Sequence, residues 1–170
     1  GMIKKSSLKE FSNPRQGGIR AINLHEKDEV VHVQVTPGNL EIIIATKKGM
    51  ASRFNEADVR PVGRAAAGVR AIKLEAGDEV IGMQITSEGA ALFTITEHGY
   101  GKRTAIEEYR SIHRGGKGVI NIQCSERNGS VVGILVVNDI DEVMVMSRKG
   151  IVMRFAVKDI SIIGRNTQGV

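Results

Sequence analysis

The stretch Thr46-Lys47-Lys48-Gly49-Met50-Ala51-Ser52-Arg53 recurs as Thr96-Glu97-His98-Gly99-Tyr100-Gly101-Lys102-Arg103 and as Ser147-Arg148-Lys149-Gly150-Ile151-Val152-Met153-Arg154. Each copy is a hydroxyl residue, two mostly charged residues, a glycine, then an arginine four positions on. The glycines stand 50 and 51 residues apart, so the chain is a repeat array. Gly18-Ile19-Arg20-Ala21-Ile22, Gly68-Val69-Arg70-Ala71-Ile72 and Gly118-Val119-Ile120-Asn121-Ile122 keep the same step, and Gly169-Val170 opens a further unit. The expected units are residues 18–67, 68–117 and 118–168, flanked by residues 1–17 as the trailing half of an earlier repeat and by 169–170. Both ends cut a unit, which predicts a piece of a longer array.

Within a unit the hydrophobic period is two. Val31, Val33 and Val35 alternate with His32 and Gln34, and Ile81, Met83 and Ile85 alternate with Gly82 and Gln84, the pattern of strands with one buried face. Turn residues follow at Thr36-Pro37-Gly38-Asn39, Ser87-Glu88-Gly89 and Asn138-Asp139-Ile140-Asp141. The runs Leu40 to Ala45, Ala90 to Thr96 and Glu142 to Met146 are apolar at almost every position and are expected as inner strands covered on both faces. The first unit is thus expected to hold four strands, near Ile19 to Leu24, Val30 to Val35, Leu40 to Ala45 and Met50 to Phe54. The predicted class is all-β, a propeller-like array of four-stranded antiparallel blades, with helices short or absent.

Aromatic residues make up 4% of the 170, with no Trp. The core must come from Val, Ile, Leu, Met and Ala, and base stacking on aromatic platforms is a poor fit. The net charge of +5, from 24 Lys and Arg against 19 Asp and Glu, matters through its placement. Lys47/Lys48 and Arg148/Lys149 fall in one turn, Arg53/Arg103/Arg154 in the fourth strand, and Arg64/Arg114/Arg165 in the link between units. Stacked units would align them as a band. The single Cys124 excludes an internal disulfide and is expected as a small core residue. No apolar run approaches the roughly 18 residues of a membrane span, and a cytoplasmic location is expected.

No chemistry of a catalytic kind emerges. The four His fall at four different places in the repeat and none has metal-ligand spacing with Cys or carboxylates. Gly101-Lys102-Arg103-Thr104 fails as a phosphate loop, because Arg follows the Lys and the segment joins strands instead of opening a helix. No nucleophile motif is present, and neither a cofactor nor a metal is expected. The richest signal is Ser111-Ile112-His113-Arg114-Gly115-Gly116-Lys117-Gly118, where glycines allow close backbone approach and cations can reach phosphate oxygens; Asn13-Pro14-Arg15-Gln16-Gly17-Gly18 is a weaker version. The competing reading is a turn that needs positive φ, with cations there for solubility.

The repeat with Gly-x-x-x-Arg, the phrase Ile160-Ser161-Ile162-Ile163-Gly164-Arg165-Asn166-Thr167-Gln168-Gly169-Val170, the phrase Gly99-Tyr100-Gly101-Lys102-Arg103-Thr104, and Glu126-Arg127-Asn128-Gly129 together resemble the C-terminal domain of bacterial DNA gyrase A; the corresponding domain of topoisomerase IV is the nearest alternative. The resemblance implies a β-pinwheel whose neighbouring blades exchange strands and whose basic rim wraps duplex DNA. It implies the rest of gyrase A, together with gyrase B, as partners within an ATP-dependent type II topoisomerase that introduces negative supercoils. The segment itself is expected to be non-catalytic. That family's box, Gln-Arg-Arg-Gly-Gly-Lys-Gly, lies in a first blade absent here, and His113-Arg114-Gly115-Gly116-Lys117-Gly118 resembles it from its second Arg onward. The expected DNA contacts are Lys48, Arg53, Arg64, Lys102, Arg103, Arg114, Lys117, Lys149, Arg154 and Arg165. The reading from a different class is a protein-interaction scaffold with a mildly basic rim.

Overall fold

The hydroxyl-x-x-Gly signature is a hairpin turn, and the computed structural model, which describes residues 1–170, shows why each of its members is there. Gly49, Gly99 and Gly150 have φ of 91°, 84° and 83°, a region open to glycine at little cost. Each glycine N–H donates to the carbonyl of the hydroxyl residue three positions back, at 3.1, 3.0 and 2.9 Å. The hydroxyls of Thr46 and Ser147 accept the next free N–H, from Met50 at 3.1 Å and Ile151 at 3.0 Å.

These turns close three hairpins: β2 (Glu41–Thr46) with β3 (Met50–Asn55), β6 (Ala91–Thr96) with β7 (Gly101–Ala105), and β10 (Glu142–Met146) with β11 (Val152–Ala156). The remaining strands are β1 (Met2–Ile3), β4 (Val69–Arg70), β5 (Val80–Ile85), β8 (Val119–Ile120) and β9 (Val131–Val137). Helical structure is limited to single 3₁₀ turns at Leu8–Phe11, Glu56–Asp58, Ile106–Glu108 and Val157–Asp159.

The sheets do not coincide with the repeats. β2 pairs on its second edge with β5 of the following unit, Ile42 opposite Ile85 and Ile44 opposite Met83, and β6 pairs in the same way with β9. On the outside β3 pairs with β8, two units on, as β1 does with β4. The sheet β5-β2-β3-β8 therefore draws on three successive units. The sheet β7-β6-β9 has the same plan, its outer position taken by Val170, which exchanges backbone hydrogen bonds with Gly101 at 2.8 and 2.9 Å.

Two expected strands are absent. Ile19 to Leu24 and Val30 to Val35 form none, although their counterparts β4 and β5 do. The reason is partnership: β5 is held by β2 of the unit before it, and no residue of this chain occupies the equivalent place beside Val30 to Val35. Val33 is left 81% exposed. A second correction concerns the inner strands. β2 and β6 are covered on both faces, whereas β10 buries only Val143 and leaves Met144 and Met146 exposed, because its free edge carries no exchanged strand.

Alternation along β2 feeds two cores. Ile43 and Ala45 pack with Leu92, Ile106, Tyr109 and Ile134 between the two large sheets, while Ile42 and Ile44 pack with Phe54, Val59 and Ile72 on the opposite face. Burying each of the Ile, Leu, Phe and Val side chains contributes about 1.5–3 kcal/mol. A third core joins Ala91, Phe93, Val137, Val143 and Val157. Cys124 lies half-buried at the edge of the first core, where burial pushes its thiol pKa up.

Candidate nucleic-acid interface

Arg53, Arg103 and Arg154 sit opposite Ile43, Phe93 and Met144 in their hairpins, so strand register alone brings all three to one equivalent position. There the first two fasten the start of the link in the next unit. Arg53 donates to Glu41 at 3.1 Å and to the carbonyls of Ile106 and Tyr109 at 3.2 and 3.0 Å, the two ends of a 3₁₀ turn. Arg103 donates to the Ile160 carbonyl and the Asp139 carboxylate, and Lys5, at the same place in the N-terminal half-unit, reaches the Glu56 carbonyl at 2.8 Å. Arg154 has its acid, Glu142, and stays exposed with no link above it.

Lys102 and Arg103 were expected on the basic band, and the structure corrects this. Lys102 is 0% exposed and donates to the carbonyls of Gly164 and Arg165 at 2.8 and 2.6 Å and to the Thr167 hydroxyl at 3.2 Å. It has no surface from which to meet a phosphate. Burial brings its pKa down to about 8, with Glu108 opposing and Arg165 assisting the fall. Arg103 is 7% exposed. Lys4 is the counterpart of Lys102, bonded to the carbonyls of Ala21 and Arg64, whereas the first unit, 18–67, carries Ser52 at this place, and its buried hydroxyl has no partner.

The second series is a latch as well. Arg64 donates to the Arg20 carbonyl, Arg114 to the Arg70 carbonyl and Arg165 to the Ile120 carbonyl, at 2.9, 2.9 and 2.8 Å. Arg114 adds a bond to the Asp58 carbonyl at 3.0 Å. Three arginines thus recur at one point because three backbone carbonyls recur there, a physical cause for the periodicity that involves no ligand. All three remain partly exposed on the link side.

The glycines of the Ser111–Gly118 link serve the chain's own backbone. Gly115 (φ 90°) donates to the Ala71 carbonyl at 2.6 Å, and a Cβ on Gly118 would lie 2.2 Å from the Ala51 carbonyl oxygen. Gly116 alone faces open space. Lys117 is exposed beside it, and Lys149 is exposed on its hairpin turn. Lys48 is held against the acidic loop of the next unit, its ammonium on the Ala76 carbonyl and its N–H on Asp78, while Lys47 pairs with Glu79 at 3.3 Å.

Sequence periodicity missed Lys9, Arg15 and Arg20, which no three-fold series marks. Together with the latch Arg64 they surround a cleft of about 630 Å³ with Ser12 and Asn13 in its wall and Glu10 as its one acid. Their signal was available only as charge without a matching Asp or Glu nearby. No three His, Cys, Asp or Glu side chains lie close enough to share a metal ion, and no helix is long and apolar enough to cross a membrane.

A family model described as the DNA gyrase C-terminal domain, β-propeller, matches residues 1–37, 40–87, 90–138 and 141–170. Relatives include the DNA gyrase A protein of Halalkalibacterium halodurans, 58% identical over 170 residues, and that of Klebsiella oxytoca, 46% identical over 170. The alignments take in 100% of this chain and 20% and 19% of those proteins, so the chain spans about a fifth of their length. Among solved structures, the C-terminal domain of a DNA topoisomerase IV superposes with TM-score 0.94 at 31% identity, covering 100% of this chain and 54% of that one. The C-terminal domain of a DNA gyrase A gives 0.85 at 29% identity, covering 91% and 53%.

Proposed function

Since this chain belongs to the family of DNA gyrase C-terminal domains, a β-pinwheel of strand-exchanged blades, we propose that it binds duplex DNA without regard to sequence and bends it along the link side. The observation that carries this is the set of cations there that the fold leaves free or half-free: Lys117 fully, and Arg64, Arg114 and Arg165 by their outer edges. Lys149 and Arg154 are exposed on the last hairpin and add to the positive surface. Phosphate contacts of this kind position a duplex and carry no base readout. Lys48, Arg53 and Arg103 contribute positive potential from behind, already spent on backbone and acids.

Bending a site of 20–30 base pairs costs on the order of 1–6 kcal/mol, and an arc of three hairpins offers few contacts to offset it, so the expected binding is weak. In the longer protein the segment would act with the remainder of gyrase A, with gyrase B, and in ATP-driven negative supercoiling. A topoisomerase IV context is the second reading, favoured by the 0.94 superposition. Titration of a random-sequence duplex over a salt series tests the proposal: log affinity should fall linearly with log salt, at a slope of roughly −0.9 for each phosphate contacted. Salt-insensitive binding, or strong preference for one sequence, would overturn it; no shift of DNA at low salt by a folded sample would leave the scaffold reading.

A further inference from the structure

The three joints at which a link arginine grips the start of a unit share that arginine-to-carbonyl bond and differ in charge. At the first, Lys9, Arg15 and Arg20 are exposed around the cleft, and none of these side chains takes part in a hydrogen bond or an ion pair. At the second, Arg70, Lys73 and Lys117 are exposed and equally unpartnered. At the third, the positions equivalent to these last three hold Ile120, Gln123 and Gln168, and Gln123 is turned onto Asn166 at 2.5 Å. The one lysine near this joint, Lys102, is sealed beneath it.

Uncompensated like charges repel, and a fold keeps them together at a cost that an anion relieves. The first cleft has the size for a sugar-phosphate unit, neutral donors in Ser12 and Asn13, and a glutamate at one side only. A small free anion would satisfy that cleft, whereas a polyanion is needed to serve the second joint at the same time.

We propose, resting on the DNA-binding reading above, that a duplex is seated by its phosphates over the first and second joints, with the Lys9/Arg15/Arg20 cleft as its anchor, and leaves the surface before the third. The path is set by the residues that follow each glycine marker, Ile19-Arg20, Val69-Arg70 and Val119-Ile120, while the repeating arginines, their inner donors held as latches, add only their outer edges.

The test is an anisotropy titration of a labelled duplex of about 30 base pairs across a salt series, using the 170-residue chain. K9A/R15A/R20A and R70A/K73A/K117A should each take up to about 3 off the magnitude of the salt slope, one for each phosphate no longer neutralised. K27A/K47A/K158A removes the same charge away from the joints and should change the slope by less than about 1. If both joint variants keep the parent's slope, or the control falls as far as they do, the seat is wrong while DNA binding stands. If the parent itself binds no duplex at low salt, both readings fall. Thermal melts accompany each variant, and K9Q/R15Q/R20Q repeats the measurement should an alanine set melt early.

Discussion

Lys102 is the residue whose environment departs furthest from its sequence context. Its folded pKa of about 8 lies below the ordinary lysine value, so between these values the unfolded chain binds a proton that the folded chain does not. Stability should therefore rise as pH goes from about 8 towards 10. Above 10 the trend should turn, because burial holds the Tyr109 phenol far above its usual pKa and unfolding then releases a proton. Urea melts from pH 7 to 11 measure both limbs, and Lys102→Met should flatten the rising one; a residual rise is expected from Lys4, lowered by burial in the same direction. Arg114 and Lys117 separate latch from ligand contact. Arg114→Ala strands the Arg70 and Asp58 carbonyls and should cost about 1–3 kcal/mol as well as weakening DNA binding. Lys117→Ala should leave stability within about 0.5 kcal/mol and take about 1 from the salt slope. Equal melting temperatures for the two variants would remove the latch.

At the scale of the element, the hairpin turns share one backbone geometry and differ in what surrounds them. A Cβ on Gly49 would meet the Ile122 carbonyl oxygen at 2.2 Å, whereas one on Gly99 finds nothing within 4 Å. Gly99→Ala should cost only the strain of a side chain at positive φ, about 1–3 kcal/mol. Gly49→Ala should cost more, because the start of the third unit must also move off β3. Thermal melts of the two variants check the order, and a smaller loss at Gly49 would contradict the strand exchange. Links show the same division of labour. The glycines read as room for a phosphate turned out to be room for the protein's own backbone, at Gly115 and Gly118.

For the whole molecule, exchange of β5 and β9 makes neighbouring blades mutually dependent. Ile134 lies on β9, paired with β6, yet packs in one core with Ile43 of the preceding sheet. Ile134→Ala should cost about 2–5 kcal/mol. Amide exchange should quicken together in β2 and β6, in one cooperative transition; quickening confined to β6 would show separable blades.

By itself the sequence determined the repeat, the hairpins, the all-β class and the family, since turn glycines, period-two alternation and step length act locally and are written in consecutive residues. It also located the paired inner strands β2 and β6. Only the tertiary structure decided which strands form, as Val30 to Val35 has the same alternation as β5 but no β2 to lie against. It alone decided which cations are free. Arg53, Lys102 and Arg114 look like neighbours of Lys117 in one dimension, but carbonyls 50 or more residues away occupy donors of Arg53 and Arg114, burial closes Lys102 to any phosphate, and those contacts are set by folding.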